Sequence, residues 1–352
     1  MSWPSFWKTK RWQSYALWPL SKLVCWEASR RLAKFHQSNP HKQSKSIVIV
    51  VGNVVVGGTG KTPFIIWLVK QLKAQNLSVG IISRGYGSKN EQWPKWVTRE
   101  SSPNVVGDEP YMLAMQTGCP VAVAPQRCDA LELMSKKTQC DVIISDDGLQ
   151  HYALPRDIEV AVIDAQRQFG NGWCLPAGPL REPIDRLSKV NFTVWNGIAE
   201  QAQIPLLDIV QQNAYGMQLT PTCFRLVSQP EISISIEDFM QRYPLKVVTA
   251  IAGIGNPQRF FETLEKLNLV VDGAAFDDHY DYQRKDFEKI QKNEKLPNSS
   301  KPLVMTQKDA VKCTQIAQSE NDWWYLEVAP TCPDELIQKI IQHCQQATRT
   351  EF

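Results

Sequence analysis

The chain has 352 residues, 43% of them hydrophobic and 21% charged: enough apolar material to bury ordinary cores, and too much for wholesale disorder. At roughly 150 residues per domain the length favours two packed units, and the 18 Gly and 22 Pro are dispersed without collagen-like or low-complexity periodicity. Nine cysteines, an odd number never spaced C-x-x-C, write neither a zinc knuckle nor a disulfide framework and predict a reducing compartment.

The formal net charge of +3 hides an asymmetry: residues 1–45 carry nine Lys or Arg against Glu27 alone, so the remaining chain is mildly acidic. A basic arm calls for an anionic partner. Five of the twelve tryptophans, Trp3, Trp7, Trp12, Trp18 and Trp26, lie in this arm among Lys8, Lys10, Arg11, Lys22, Arg30, Arg31 and Lys34, an interfacial mixture. Its most apolar stretch, Tyr15–Trp26, contains Pro19 and Lys22 and is shorter than the roughly 20 residues a spanning helix needs. No small-residue cleavage site follows it, so a cleaved signal peptide is not expected. The arm reads as a peripheral anchor on an anionic membrane leaflet, or else as an ordinary helix whose Trp side chains pack on the protein's own body. Nucleic acid is not an expected partner, because no helix-turn-helix, RNA-recognition or zinc-finger signature accompanies the basic stretch.

From Ser46 to Lys61 the chain reads SIVIVVGNVVVGGTGK, followed by TPFIIWLVKQLKAQN: strand, glycine loop, helix. Gly57, Gly58, Thr59, Gly60, Lys61 and Thr62 place small residues where backbone N–H groups approach phosphate oxygens, then a Lys for the terminal phosphates and a hydroxyl for Mg2+. The strict pattern asks for Gly six residues before Lys61, where this chain has Val55, followed by Val56; both are included in the expected nucleotide loop. A glycine-rich packing turn is the alternative, and it has no need of Lys61.

Apolar runs recur at Val79–Ile82, Val121–Ala124, Val142–Ile144 and Val160–Ile163, separated by helix-like segments such as Gln126–Lys137. This alternation predicts an α/β fold, a doubly wound parallel sheet of the P-loop NTPase type. GDEP at Gly107–Pro110 sets two acids before an apolar segment. If extended, Asp108 and Glu109 diverge, one toward an acceptor hydroxyl and one toward a metal; as a helix start they cap it and complement its dipole. DVIISDDG ends a strand in Asp146 and Asp147, where a P-loop enzyme keeps the carboxylate that orders Mg2+; the alternative is a turn cap.

After Trp195 the text turns polar and irregular, and a second alternating pattern starts at Lys246 with KVVTAIAGIGNPQRFFETLEKLN. The dinucleotide fingerprint is incomplete there because position 258 is Gln, so Gly253 and Gly255 read as a tight turn. Strands at Pro302–Met305 and Trp323–Val328 and a terminal helix at Asp334–Gln345 complete a smaller α/β unit. The expected division is residues 1–45 as the basic segment, 46–215 as the P-loop core and 216–352 as the smaller domain.

With these blocks assembled, the sequence resembles the tetraacyldisaccharide 4'-kinase family, which phosphorylates a lipid A precursor at the inner membrane. The resemblance runs through VGNVVVGGTGKTP, SRGYGSK (Ser83–Lys89), GDEP, DDGLQHYALPRD (Asp146–Asp157), FGNGWCLPAGPLREP (Phe169–Pro183), AGIGNPQRFF (Ala252–Phe261), DHY (Asp278–Tyr280) and TQKDAVKC (Thr306–Cys313). It implies ATP and Mg2+ as cofactors and a lipid A disaccharide precursor as acceptor. It also implies residence on the cytoplasmic face of the bacterial inner membrane, peripheral or monotopic, with no obligate protein partner. By the same resemblance Asp108 is the general base and His279 its orienting partner. The physics of phosphoryl transfer then gives Lys61 to the β and γ phosphates and Thr62, Glu109 and Asp146 to the metal, with Asp147 either a direct ligand or one shell behind. Arg84, Tyr86, Arg127, Gln150, His151 and Arg181 are the candidate contacts to substrate phosphate or sugar.

Overall fold

The computed structural model describes residues 3–38, 46–85, 92–199, 213–277, 280–292 and 301–349. Two compact units emerge, Trp3–Leu219 with Pro330–Phe352, and Thr220–Ala329. This differs from the expected division at both ends of the chain. The basic segment belongs to the larger unit, and so does the terminal helix.

The larger unit starts with α1 (Ser5–Lys8) and α2 (Trp12–Ser38). It continues through β1 (Ile47–Gly52), α3 (Lys61–Ala74), β2 (Val79–Ser83), β3 (Lys95–Val97), α4 (Pro103–Val106), α5 (Asp108–Thr117), β4 (Val121–Val123) and α6 (Arg127–Lys137). Then come β5 (Val142–Asp146), β6 (Ile158–Asp164), a 3-10 turn at Ile184–Lys189, β7 (Phe192–Asn196) and β8 (Ala214–Leu226), whose first residues pair here. The strand order is β8-β7-β6-β1-β5-β2-β4-β3, parallel except for the antiparallel edge pair of β3 with β4.

All six residues of β1 are buried, which is why it reads as an unbroken β-branched run. Its side chains alternate between two cores. Ile47, Ile49 and Val51 face the cluster built from α3 (Phe64, Ile65, Leu68, Leu72), while Val48 and Val50 face the one built with Ala130, Leu131 and Met134 of α6. Because β1 lies between β5 and β6, with later strands running outward on both sides, the chain reverses direction at its carboxyl end, where doubly wound sheets place ligands. The register puts Val51 opposite Asp146, so the loop after β1 and the acids after β5 emerge at one edge.

The smaller unit holds β9 (Ser233–Ser235), α7 (Ile236–Arg242), β10 (Val247–Ala252), α8 (Pro257–Lys266), β11 (Val270–Ala275), α9 (Arg284–Lys292), β12 (Leu303–Thr306), α10 (Gln307–Cys313) and most of β13 (Trp323–Thr331). Its order is β11-β10-β12-β13-β8, with β9 antiparallel on β8. The GIG segment after β10 is a turn, as expected. Buried Asp309 of α10 accepts from Gly253 N at 3.0 Å and from the Tyr282 hydroxyl at 3.1 Å, and a side chain at Gly253 would collide with both partners.

The final helix, α11 (Asp334–Arg349), returns to the larger unit. Leu336, Ile337, Ile340 and Cys344 share a core with Ile47 and Val160. One cysteine pair also departs from the reading of the sequence. Cys25 of α2 forms a disulfide with Cys174, at a Cα separation of 6.2 Å and 149 residues apart in the chain. No local spacing displays such a pair; packing of α2 on the loop after β6 creates it.

Candidate active site

The glycine loop is held by a row of donors from outside it. Trp3 Nε1 donates to Val56 O at 3.1 Å, Asn53 Nδ2 to Gly57 O at 3.0 Å, the Arg167 guanidinium to Gly58 O, and Asn196 Nδ2 to Thr59 O at 2.9 Å. Four successive carbonyls therefore face the protein. In a trans peptide the following N–H points the opposite way, so the N–H groups of residues 57–60 are turned away from these donors and are available to form an anion-binding concavity. Gly57 and Gly60 sit at φ of 97° and 96°, and a Cβ on Gly60 would lie 2.2 Å from Asn196 Nδ2. Only glycine fits there. Gly60 caps α3, whose first-turn N–H groups and dipole add to the same pole.

The loop is shorter than the sequence suggested. Val55 is buried and bridged to Leu180, and the Val56 N–H is spent on Pro179 O at 2.9 Å. Neither belongs to the concavity, which begins at Gly57. The cause is the antiparallel clasp between this stretch and residues 179–181, which also joins Arg181 N to Val54 O.

Lys61 Nζ lies 3.3 Å from Asp147 Oδ1, and Arg181 Nη1 donates to both carboxylate oxygens, at 3.1 Å to Oδ1 and 3.0 Å to Oδ2. These two cations hold the Asp147 carboxyl well below the usual range. Asp147 is thus the shared counter-ion of Lys61 and Arg181 in this arrangement. It occupies a left-handed position (φ 49°) that Asp tolerates.

Asp146 differs from its neighbour in nearly every respect. It is buried; Oδ2 accepts from the Ser83 hydroxyl at 3.1 Å, while Oδ1 has no hydrogen-bond partner. Burial first, then the nearby Glu109 charge, pushes its carboxyl up to about 7. A buried orphan acceptor beside a second carboxylate is a site that a divalent cation would satisfy. Among the described residues, no three or more His, Cys, Asp or Glu form a metal cage by themselves, so the hydroxyl of Thr62 together with water, or with nucleotide phosphates when they are bound, would complete the shell.

Asp108 and Glu109 are not extended. They open α5 after Gly107 (φ 95°), and Asp108 Oδ1 accepts from Glu109 N at 3.1 Å. Successive helix positions still diverge, by about 100°, so the two carboxyls leave the backbone in different directions.

Arg127, expected at the substrate, is buried behind the acids. It donates to Asp146 O at 3.0 Å and to Ala124 O at 3.3 Å, and burial lowers its pKa to about 10. It braces the turn after β5. Gln150 donates to Asn53 O and to Glu182 and accepts from Arg181, tying the glycine loop to the counter-ion cluster. Arg84 is exposed at the end of β2. His151 is depressed to about 4 by burial and by the charges of Arg127 and Arg84, so it is a neutral imidazole at physiological pH. Tyr86 and His279 lie outside the described residues.

Sequence reasoning missed Asn53, Ser83, Asn196, Arg167 and Trp3. Three of them stand at or just past the carboxyl ends of β1, β2 and β7, and polar residues closing apolar runs were the available signal. Arg167 and Trp3 carried none.

The family model described as tetraacyldisaccharide-1-P 4'-kinase matches residues 13–345. The chain is 48% identical over 336 residues to a tetraacyldisaccharide 4'-kinase of Hydrogenovibrio crunogenus, covering 95% of each, and 45% identical over 324 residues to one of Hahella chejuensis, covering 90% and 88%. A crystal structure of LpxK from Aquifex aeolicus in complex with ATP superposes with a TM-score of 0.74 at 25% identity, covering 94% of this chain and 99% of that one. A match that spans both units at this level of identity leaves one assignment: the chain belongs to the tetraacyldisaccharide-1-P 4'-kinase family.

Proposed function

We propose that the chain is an ATP-dependent lipid kinase, transferring the γ-phosphoryl group of ATP to the 4'-hydroxyl of a tetraacyldisaccharide 1-phosphate to give the 1,4'-bisphosphate of lipid A biosynthesis. The observation that carries this is the concavity at Gly57–Gly60 next to Lys61 and the orphaned Asp146 oxygen, in a chain matched along 95% of its length by a tetraacyldisaccharide 4'-kinase.

In phosphoryl transfer, positioning and charge neutralisation do most of the work. The loop N–H groups and Lys61 take the phosphate oxygens, and as Lys61 turns to them, Asp147 remains neutralised by Arg181. Thr62, Glu109 and Asp146 would hold Mg2+, which supplies charge neutralisation across the β and γ phosphates. Asp108 accepts the proton of the acceptor hydroxyl as its oxygen bonds to the γ-phosphorus and the bond to ADP breaks. A free Asp near pKa 4 is a weak base, which suits a transition state demanding little deprotonation of the nucleophile. His279 is proposed to take part in the reaction on the strength of the DHY block alone; its replacement by Ala should then lower kcat.

The acceptor is a lipid, and α2 fits a lipid surface. Its outer side exposes Trp12 (75%), Tyr15, Trp18, Leu23 and Trp26 (64%), with Lys22 over Trp18 and Arg30 over Trp26. Cations beside exposed indoles suit the headgroup level of an anionic leaflet, and no helix among the described residues is long and apolar enough to cross a membrane. Attachment to the cytoplasmic face follows as part of the proposal. Replacing Trp12, Trp18 and Trp26 by Ser should move the protein from anionic vesicles to the supernatant; unchanged sedimentation would remove this assignment.

The test of the activity is transfer of labelled γ-phosphate from ATP to detergent-dispersed tetraacyldisaccharide 1-phosphate. Wild type should form the bisphosphorylated lipid, and Lys61→Ala and Asp108→Ala should not. ATP hydrolysis without lipid product, from folded protein, would instead indicate a P-loop switch ATPase.

A further inference from the structure

We infer that Trp3 is a positioning residue for the nucleotide loop, acting with Arg167 to hold the Val56 and Gly58 peptides in the orientation that presents their following N–H groups to phosphate. The inference rests on the nucleotide-binding reading above and goes beyond it. Two of the four donors that turn the loop carbonyls inward, Asn53 and Asn196, stand directly at the ends of core strands. The other two form a separate assembly. Trp3 is buried, its indole donates to Val56 O at 3.1 Å, and the Arg167 guanidinium sits 5.0 Å over its ring while donating to Gly58 O. Asp164, the last residue of β6, holds Arg167 at 3.3 Å. A Cβ on Gly57 would stand 3.7 Å from both Trp3 Nε1 and Arg167 Nη1, so the two side chains together floor this glycine. An indole and a guanidinium stacked in this way are mutually dependent: the ring orients the cation, and the cation covers the ring.

The clamp has its own anchor. Trp7 packs edge-on against Trp3 and donates to Pro176 O at 2.9 Å, and Asn171 N donates to Trp7 O at 2.7 Å. The same 165–181 stretch supplies the clasp at Pro179 and receives α2 through Ser21 and Cys25. Removing the Trp3 donor leaves Val56 O facing a wall with no partner, and the peptide is then free to rotate its N–H out of the concavity. Such a change acts on nucleotide binding and leaves the lipid untouched.

The experiment uses the full chain. Affinity for radiolabelled ATP with Mg2+ is measured by equilibrium dialysis, and KM for ATP and for lipid in the transfer assay, for wild type, Trp3→Phe, Arg167→Met and the double variant. Phe keeps an aromatic ring under the guanidinium while removing the N–H donor with the five-membered half of the indole, and a thermal melt of each variant separates loss of fold from loss of the donor. Trp3→Phe and Arg167→Met should each weaken ATP binding about five- to tenfold and raise KM for ATP alike, with KM for lipid unchanged and kcat within about twofold. The double variant should lose no more than about tenfold, because the pair acts as one unit. ATP binding by Trp3→Phe within twofold of wild type, additive losses in the double variant, or an equal rise in both KM values would each overturn the role. Failure of wild type itself to bind ATP would bring down the nucleotide reading and this inference with it.

Discussion

Metal binding at the end of β5 should expel a proton, and the proton identifies Asp146. Burial and the neighbouring Glu109 charge raise its carboxyl to about 7, against roughly 3.9 for a free aspartate. A cation needs the carboxylate ionised. Below the raised value affinity therefore falls tenfold per pH unit, and above it affinity is flat; from pH 7.5 to 5.5 the loss is about 25-fold, or ~2 kcal/mol. With an ordinary aspartate the loss over that range would be only a few per cent. Mn2+ without nucleotide is the suitable probe, since nucleotide phosphate titrates in the same range. Calorimetry at pH 6.5 in two buffers of different ionisation enthalpy should count about three-quarters of a proton released per ion. Glu109→Gln removes the repelling charge, so the count should drop even as affinity weakens. The stability of the metal-free chain follows the same sign. Because the folded pKa lies above the unfolded one, this group's contribution is lost as pH rises from about 3.9 to about 7 and stays lost beyond. Affinity independent of pH across this range, with no proton released, would refute both the raised carboxyl and its place at the metal.

Three further outcomes check the scaffold around the site. Glu159 accepts from Arg156 at 2.9 Å and from fully buried Arg186 at 2.5 Å; Glu159→Gln leaves two guanidinium groups short of their counter-charge and should cost about 3 kcal/mol, read as a drop of roughly 1 M in urea midpoint. Ile340 of α11 lies fully buried in the core shared with β1, so Ile340→Ala should cost about 2–5 kcal/mol and deprotect β1 amides in hydrogen exchange while those of β10 keep their protection. The His151 ring, depressed to about 4, should show no NMR titration between pH 8 and 6 and begin to shift only near pH 5; a midpoint at about 6.5 would place it in open solvent.

The parts of the site that were legible in the sequence are those whose chemistry is local. Gly57 and Gly60 had to be glycine for backbone reasons, Lys61 follows them at a fixed reach, and Asp146 ends an apolar run that can only be a buried strand. Asp147 shows the limit. Adjacent acids look alike in sequence, yet the register of β5 buries the first, while the turn carries the second to Lys61 and Arg181. Arg127 was misplaced for a related reason, since a loop arginine gives no sign that its guanidinium will turn inward onto main-chain carbonyls. β8 went unread because Pro221 interrupts it and exposed residues fill its middle. The amphipathic pattern of α11 foretold a helix, but periodicity does not name the partner, and its apolar face returned across the chain to β1.

The N-terminal segment had two readings, an anchor on lipid or a helix packed on the body; α2 packs one face on the body and leaves the other exposed. Its inward stripe is small or modest: Ser14, Ser21, Cys25 and Leu32, with the Ser21 hydroxyl bonded to Cys174 O at 2.8 Å. Its large aromatics point outward. A helix built for water alone would do the reverse, because fully burying one large apolar side chain is worth about 1.5–3 kcal/mol, and an exposed apolar band of this kind marks a contact surface. Attachment to the body therefore falls to hydrogen bonds, the Cys25–Cys174 link and the buried Trp3 and Trp7 contacts rather than to the helix's apolar surface. That division leaves the outer band available to lipid without loosening the inner seam. The same 165–181 stretch that carries this seam also buttresses the nucleotide loop. On the proposed reading, in which the acceptor comes from a bilayer and the donor from water, this stretch would link the two surfaces, because it contacts both α2 and the nucleotide loop.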